Sequence, residues 1–170
     1  MDTEPLQLTD VLQRLQQAGS SSKLDLSGCN LKFADLSRID LREANLSYAN
    51  LEYAHLRGTN LERANLSFAN LAHTNLEHAS LIGASLCVAN LSEASIRFAN
   101  FSHADLRAAH LVGIRGTGAN LEGANLGHAN LSRAFLRDAN LAGADLSGAQ
   151  INPGQLKEAK GSPLNTPFGA

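Results

Sequence analysis

The sequence predicts an all-β solenoid, a chain that winds by a fixed amount per repeat around a packed axis. Three observations predict it. From Leu26 onward every fifth residue is apolar, through Leu31, Leu36 and Leu41 to Leu146 and Ile151. Leucine fills 22 of these 26 positions, and the others are Ile96, Phe101, Gly116 and Ile151. Two residues before each position stands alanine in 20 of the 26 cases. Between the two lies mostly Asn or Asp, as in Ala44-Asn45-Leu46 and Ala104-Asp105-Leu106.

A period of five fits neither regular element. On an α-helix, five residues at about 100° each carry the leucine about 140° round the axis per repeat, so no single face is apolar. On a flat strand an odd step sends successive leucines to opposite faces. Both arrangements leave half the leucines in water. All are buried only if the chain turns by a constant angle per pentad. Leu and the Ala two before it then point inward together, Asn or Asp points outward, and the last two positions make the corner.

This unit strongly resembles that of the pentapeptide-repeat family, over residues 24–151. The resemblance implies a right-handed quadrilateral β-helix with four pentads per coil, which at roughly 4.8 Å per stacked strand gives a rod about 31 Å long. Burying each leucine contributes roughly 1.5–3 kcal/mol, so the stack is expected to be stable although it has few aromatics.

Both ends of a solenoid expose unpaired backbone and call for caps. Residues 1–23 are read as an N-terminal capping helix and linker, because Leu8, Val11, Leu12 and Leu15 have the spacing of an amphipathic helix, ended by Gly19 and followed by Ser20-Ser21-Ser22. Residues 152–170 are read as a C-terminal cap and disordered tail. Asn152-Pro153 begins a short helix there, Leu156 and Ala159 cover the last coil, Gly161 ends the helix, and the tail from Ser162 is disordered. One stretch breaks the pattern: in Val112-Gly113-Ile114-Arg115-Gly116-Thr117-Gly118, Gly116 takes a leucine slot and Ile114 an alanine slot. Either the pentad is degenerate, or Gly113, Arg115, Gly116 and Gly118 form a bulging loop. The glycines lack the Gly-Lys-Ser/Thr ending of a phosphate-binding loop.

No catalytic, cofactor-binding or metal-binding residues emerge. Two cysteines make no disulfide framework. Cys29 fills an inward alanine slot and Cys87 an outward one. The six histidines, His55, His73, His78, His103, His110 and His128, scatter over all four sides of the quadrilateral coil, away from the convergence a metal requires. The Asn column of Asn30, Asn50, Asn70 and Asn90 suits side chains that bond neighbouring backbone. With the axis filled by leucine there is no pocket, so a non-enzyme is expected. The chain carries a formal charge of −2, its N-terminus lacks a signal peptide's basic start and apolar core, and no apolar run reaches the roughly 20 residues of a membrane span. A cytoplasmic protein without membrane contact is expected.

Function is then sought on the outer surface. Tyr48, Phe68 and Val88 stand 20 apart in one outward column, and Phe33 and Tyr53 hold the same repeat position on the next face, followed by His73. Exposed aromatics of this kind either mark partner surfaces or shield the corners of the ladder and pack under the cap. The leading expectation is a rigid scaffold that binds a protein partner through Phe33, Tyr48, Tyr53, Phe68 and Val88, as a monomer or an end-to-end dimer. Some members of the family mimic DNA and bind type II topoisomerases such as gyrase, which is the alternative. That role asks for a dense acidic run, whereas the four faces sum to −2, 0, +2 and −2. Direct nucleic-acid binding is not expected from arginines so interleaved with acids. A further alternative, by analogy alone, is the substrate-binding repeat region of adaptors that join such repeats to a BTB domain. The inward assignment carries its own test. Leu81→Asp buries a charge in mid-stack and is expected to collapse the β signal in circular dichroism; unchanged melting would refute the assignment.

Overall fold

The computed structural model describes Leu6 and residues 9–11, 13–14 and 24–167. From residue 24 to 151 every pentad folds alike. The residue in the Asn/Asp slot pairs in parallel with the residue 20 further on, from Asp25↔Asn45 and Asn30↔Asn50 through to Asn130↔Gln150. Pairing at that interval makes a coil of four pentads, one to each side. The pairs remain isolated bridges because the chain turns immediately after each one. Ala34 donates its N–H to the Leu31 carbonyl at 3.1 Å, Ala49 to Leu46 at 3.1 Å and Ala54 to Leu51 at 2.9 Å, closing a Leu-x-x-Ala β-turn. The third residue of the turn has positive φ, 61° at Phe33, 59° at Tyr48 and 58° at Tyr53, as in a type II turn.

Inside, the leucines from Leu26 to Leu146 are between 0% and 2% exposed. Threonine replaces alanine at Thr59 and Thr74 without an unmet hydroxyl: Thr59 Oγ1 donates to the Leu36 carbonyl and Thr74 Oγ1 to the Leu71 carbonyl, both at 2.7 Å. Outside, the Asn side chains are occupied locally. Asn65 Oδ1 accepts from the Ser67 N–H at 3.1 Å, and its amide donates to Asn45 Oδ1 at 3.3 Å. Asn90 does the same toward Ser92 and Asn70, each at 3.1 Å. The Asn column therefore holds the turn and ties coil to coil.

The irregular pentad stays in the coil, and no bulge forms at Gly113, Arg115, Gly116 or Gly118. Arg115 bridges both Ser95 and Phe135. Gly116 donates to the Phe135 carbonyl at 2.8 Å. Gly113 and Gly118 hold the positive-φ corner slot at 66° and 67°. Volume explains the substitution. A Cβ at Gly116 would come within 3.2 Å of Leu136 Cδ2 and 3.5 Å of Ile96 Cδ1, while the larger Ile114 fills the alanine slot at 1% exposure. The branched neighbours occupy the space that leucine fills elsewhere.

The ends differ in part from expectation. At the first coil, Leu6 donates to the Asn30 carbonyl at 2.7 Å, Thr9–Val11, Gln13 and Arg14 are helical, and Val11 is fully buried. Leu8, Leu12, Leu15, Gly19 and Ser20 to Ser22 lie outside the described residues. Cys29 is half-buried and accepts from Arg14 Nη1 at 3.2 Å. At the other end helix α1, Pro153–Lys157, has Asn152 as N-cap and a capping box with Gln155. It stops short of Gly161, at Glu158. The tail then returns to the ladder rather than being disordered. Lys160 bridges Asn140 and Asn165 bridges Asp145, so the helix replaces one side of a last coil whose period of five never lapses. Ser162 accepts from Gly143 at 2.9 Å. Gly161 has φ of 75°, and a Cβ there would lie 2.7 Å from the Ala142 nitrogen, which explains glycine at that point. Residues 168–170 of the expected tail lie outside the described residues.

The exchange at Ile114 and Gly116 is testable by urea unfolding. Gly116→Leu overpacks and is expected to cost about 1–3 kcal/mol; Ile114→Ala opens a cavity and costs about 2–5 kcal/mol. The double variant restores the common pentad, so its loss should fall below the sum by more than about 1 kcal/mol. Strict additivity would disprove the compensation.

Candidate functional site

The positive-φ slot decides what the rod displays. Its residues fall into four corner columns with a spacing of 20. One runs through Tyr48, Phe68 and Val88, and the next along the chain through Phe33, Tyr53 and His73. The third holds Arg38, His78 and Phe98, and the fourth Glu43, Arg63 and His103. A residue at this corner projects outward and leans on its neighbour in the next coil. The rings therefore stack. Tyr48 and Phe68 lie 4.9 Å apart, centroid to centroid, and 3° from parallel. Phe33 and Tyr53 lie 5.5 Å apart, and Tyr53 and His73 4.7 Å apart at 6°. A non-glycine residue in the left-handed region costs about 1–2 kcal/mol, and a stacked pair returns about 0.5–1.5 kcal/mol.

The five residues singled out in the sequence thus form two columns on neighbouring corners, since Tyr48 and Tyr53 are one pentad apart. Exposure runs from 38% at Val88 to 65% at Tyr48, with Phe33 at 62%. Lys32 adds a cation over two rings, its Nζ 5.2 Å from the Phe33 centroid and 5.7 Å from that of Tyr53, while it pairs with Glu52 at 2.8 Å. The side between the columns carries the Asn30, Asn50, Asn70 and Asn90 amides and is flat and nearly neutral. The other residues singled out, Gly113, Arg115, Gly116 and Gly118, join no part of this patch.

Among the described residues, two further exposed rings escaped the sequence reading. Phe98 stacks on His78 at 5.3 Å and is 52% exposed; it occupies the same corner slot, so the register could have found it. Phe135 stands in an Asn slot and is 61% exposed; aromatic type in that slot was the available signal. Part of the remaining charge is neutralised locally. Arg107 clasps Asp105 at 2.7 Å and Arg42 clasps Asp40 at 2.7 Å, and each arginine's hydrogen bonds hold its carboxylate partner below the usual range. Among the described residues no three His, Cys, Asp or Glu side chains gather as a metal site, and no helix is long and apolar enough to cross a membrane.

Replacing Tyr48 and Phe68 with glycine removes the stack and relieves two left-handed corners. The double variant is expected to unfold within about 2 kcal/mol of the parent in denaturant titration. A loss far beyond that would show the rings packed under another segment and remove them from the surface.

Comparison with known proteins agrees with this architecture. The family model described as pentapeptide repeats matches eight copies, over residues 25–63, 59–94, 69–107, 99–138 and 119–152. Among solved structures, the chain is 32% identical to HetL, a pentapeptide repeat protein involved in heterocyst differentiation regulation from the cyanobacterium Nostoc sp. strain PCC 7120. The match covers 86% of this chain and 78% of that one with a TM-score of 0.41. It is 25% identical to the pentapeptide repeat protein Rfr23 from the cyanobacterium Cyanothece 51142, over 91% and 99% of the two chains, with a TM-score of 0.54. It is 19% identical to QnrB1, a plasmid-mediated fluoroquinolone resistance protein, over 83% and 79%, with a TM-score of 0.60. No curated protein matches significantly. With its repeats matched across most of its length and its coils closing every four pentads, the chain belongs to the pentapeptide-repeat family and shares that family's right-handed β-helical solenoid.

Proposed function

We propose that the protein is a non-enzymatic interaction module, a rigid β-helical rod that presents its outer surface to a protein partner. The observation that carries this reading is the pair of stacked ring columns, Tyr48–Phe68 and Phe33–Tyr53–His73, on neighbouring corners of one flat side. Stacking fixes the rings before any partner arrives, so binding sacrifices little side-chain entropy. Aromatic side chains held in this way are typical interface anchors. Leucine and alanine pack the axis of the described coils. In this reading the flanking segments close the ladder. Leu6 takes up the Asn30 carbonyl, and Gln155 Nε2 donates to the carbonyls of Leu131 at 2.8 Å and Ala134 at 2.9 Å.

A pull-down from the native host's lysate, read by mass spectrometry, tests the proposal. Wild type is run beside the Tyr48→Gly/Tyr53→Gly/Phe68→Gly variant, whose corner backbone glycine accepts. The expected result is a partner captured by wild type and lost by the variant. A type II topoisomerase held equally by both would instead support the DNA-mimic role and retire this patch.

A further inference from the structure

We propose that a second surface, at the other end of the rod, docks a short acidic polypeptide segment through Arg97, Arg115, Arg133 and Arg137 around Phe135. The register assembles the site. Arg133 and Arg137 stand two positions either side of Phe135 on one coil. Arg115 bridges Phe135 from the coil before, and Arg97, next to the exposed Phe98, stands two coils before Arg137 in the same column. All four arginines are exposed. Arg115 Nη2 reaches only the Glu93 carbonyl, at 3.4 Å. Arg97, Arg133 and Arg137 make no ion pair among the described residues, unlike Arg42, Arg57 and Arg107, which are held by Asp40, Glu77 and Asp105.

The nearby acids offset the set only in part: four arginines and Lys160 face Glu93, Asp138 and Glu158, an excess of two positive charges. Asp138 is engaged by Lys160 at 2.9 Å. The Glu93 carboxylate lies against Gly113, one coil before Arg133 in the same corner column, and Glu158 lines the hollow that holds Arg133 and Phe135, its carbonyl accepting from the Asp138 N–H at 2.7 Å. Unpaired guanidinium groups are built to take carboxylates two bonds at a time, and the ring between Arg133 and Arg137 suits an apolar side chain set between two carboxylates.

Size selects the partner. Two stack spacings make the patch about 10 Å tall, the length of about three extended residues. Nucleic acid draws its affinity from many phosphates along a long track. Here such a track would soon leave the patch for neighbouring surface that carries Glu77 and Glu122, on a chain of net charge −2. A short acidic segment stays within the patch. The site shares no residue with the Tyr48 patch, so either can fail without the other.

Fluorescence anisotropy tests it with the full chain, at low salt, using a labelled peptide of alternating glutamate and leucine. Binding is expected to weaken by roughly tenfold in Arg133→Gln/Arg137→Gln, the scale of one charge-assisted pair lost. It should be unchanged in Arg63→Gln and absent for the peptide with glutamine in place of glutamate. Arg97→Gln/Arg115→Gln, away from α1, should show a comparable loss, which a mere disturbance of the rod's end by the first pair would not produce. Equal affinity of the variants, equal affinity of the glutamine peptide, or tighter binding of a short oligothymidylate would each overturn the proposal.

Discussion

Every coil must turn four times within 20 residues and return in register. The β-turn that achieves this places one residue in each pentad at φ near +60°. That constraint governs the rest of the molecule. It leaves the extended Asn/Asp residue free to bridge the next coil, and it aims Leu and Ala at the axis. Glycine would meet it at least cost in the folded state, and Gly28, Gly58, Gly83 and five further corners between residues 113 and 148 do so. The remaining described corners carry side chains despite the left-handed conformation. Where those are aromatic, the i to i+20 stack supplies compensation, because rings at this slot lie face to face at about the ladder spacing. The exposed columns thus have one origin in the fold.

The core was legible because it repeats. Leu, Ala and Asn recur with a single period, and only winding buries all the leucines. Gly116 shows the limit of that reading. The sequence presents it as a missing leucine, and a loop is as good an account as a degenerate pentad until Ile96, Ile114 and Leu136 are seen to close the space from three directions. Spacing describes one column at a time, whereas packing at the axis depends on neighbours on adjoining sides and coils. The tail misled for a related reason. Ser162 to Pro167 has a loop's composition, yet Asn165 falls in the bridging slot and pairs with Asp145. Backbone register carries that pairing, and the Asn165 amide adds a hydrogen bond to Asp145 Oδ1 at 3.2 Å, as Asn does elsewhere in the ladder.

The candidate surfaces were legible in part. The Tyr48 and Phe33 columns follow from the corner slot and the spacing of 20. The arginine set did not, because a charge sum over a whole face counts paired and unpaired groups together. Arg57 and Glu77 cancel on that face at 3.3 Å, and Asp138 is satisfied by a lysine from the returning tail. Only after those pairs are removed does a net positive group stand out around Phe135.

Because the axis is packed throughout, the two surfaces sit on one stiff body. The corner column of Phe33 and Tyr53 continues through Glu93 and Gly113 to Arg133, so the two patches share an edge. Tyr53 and Arg133 are four coils apart, about 19 Å along the rod at the usual strand spacing. A rigid separation of that kind selects by length as well as chemistry. A partner that carries an apolar contact and an acidic segment at matching distance makes its second contact intramolecularly, at high effective concentration, whereas one with the wrong span gains nothing from having both. Weak patches on a stiff ruler can then discriminate between partners that neither patch alone would tell apart.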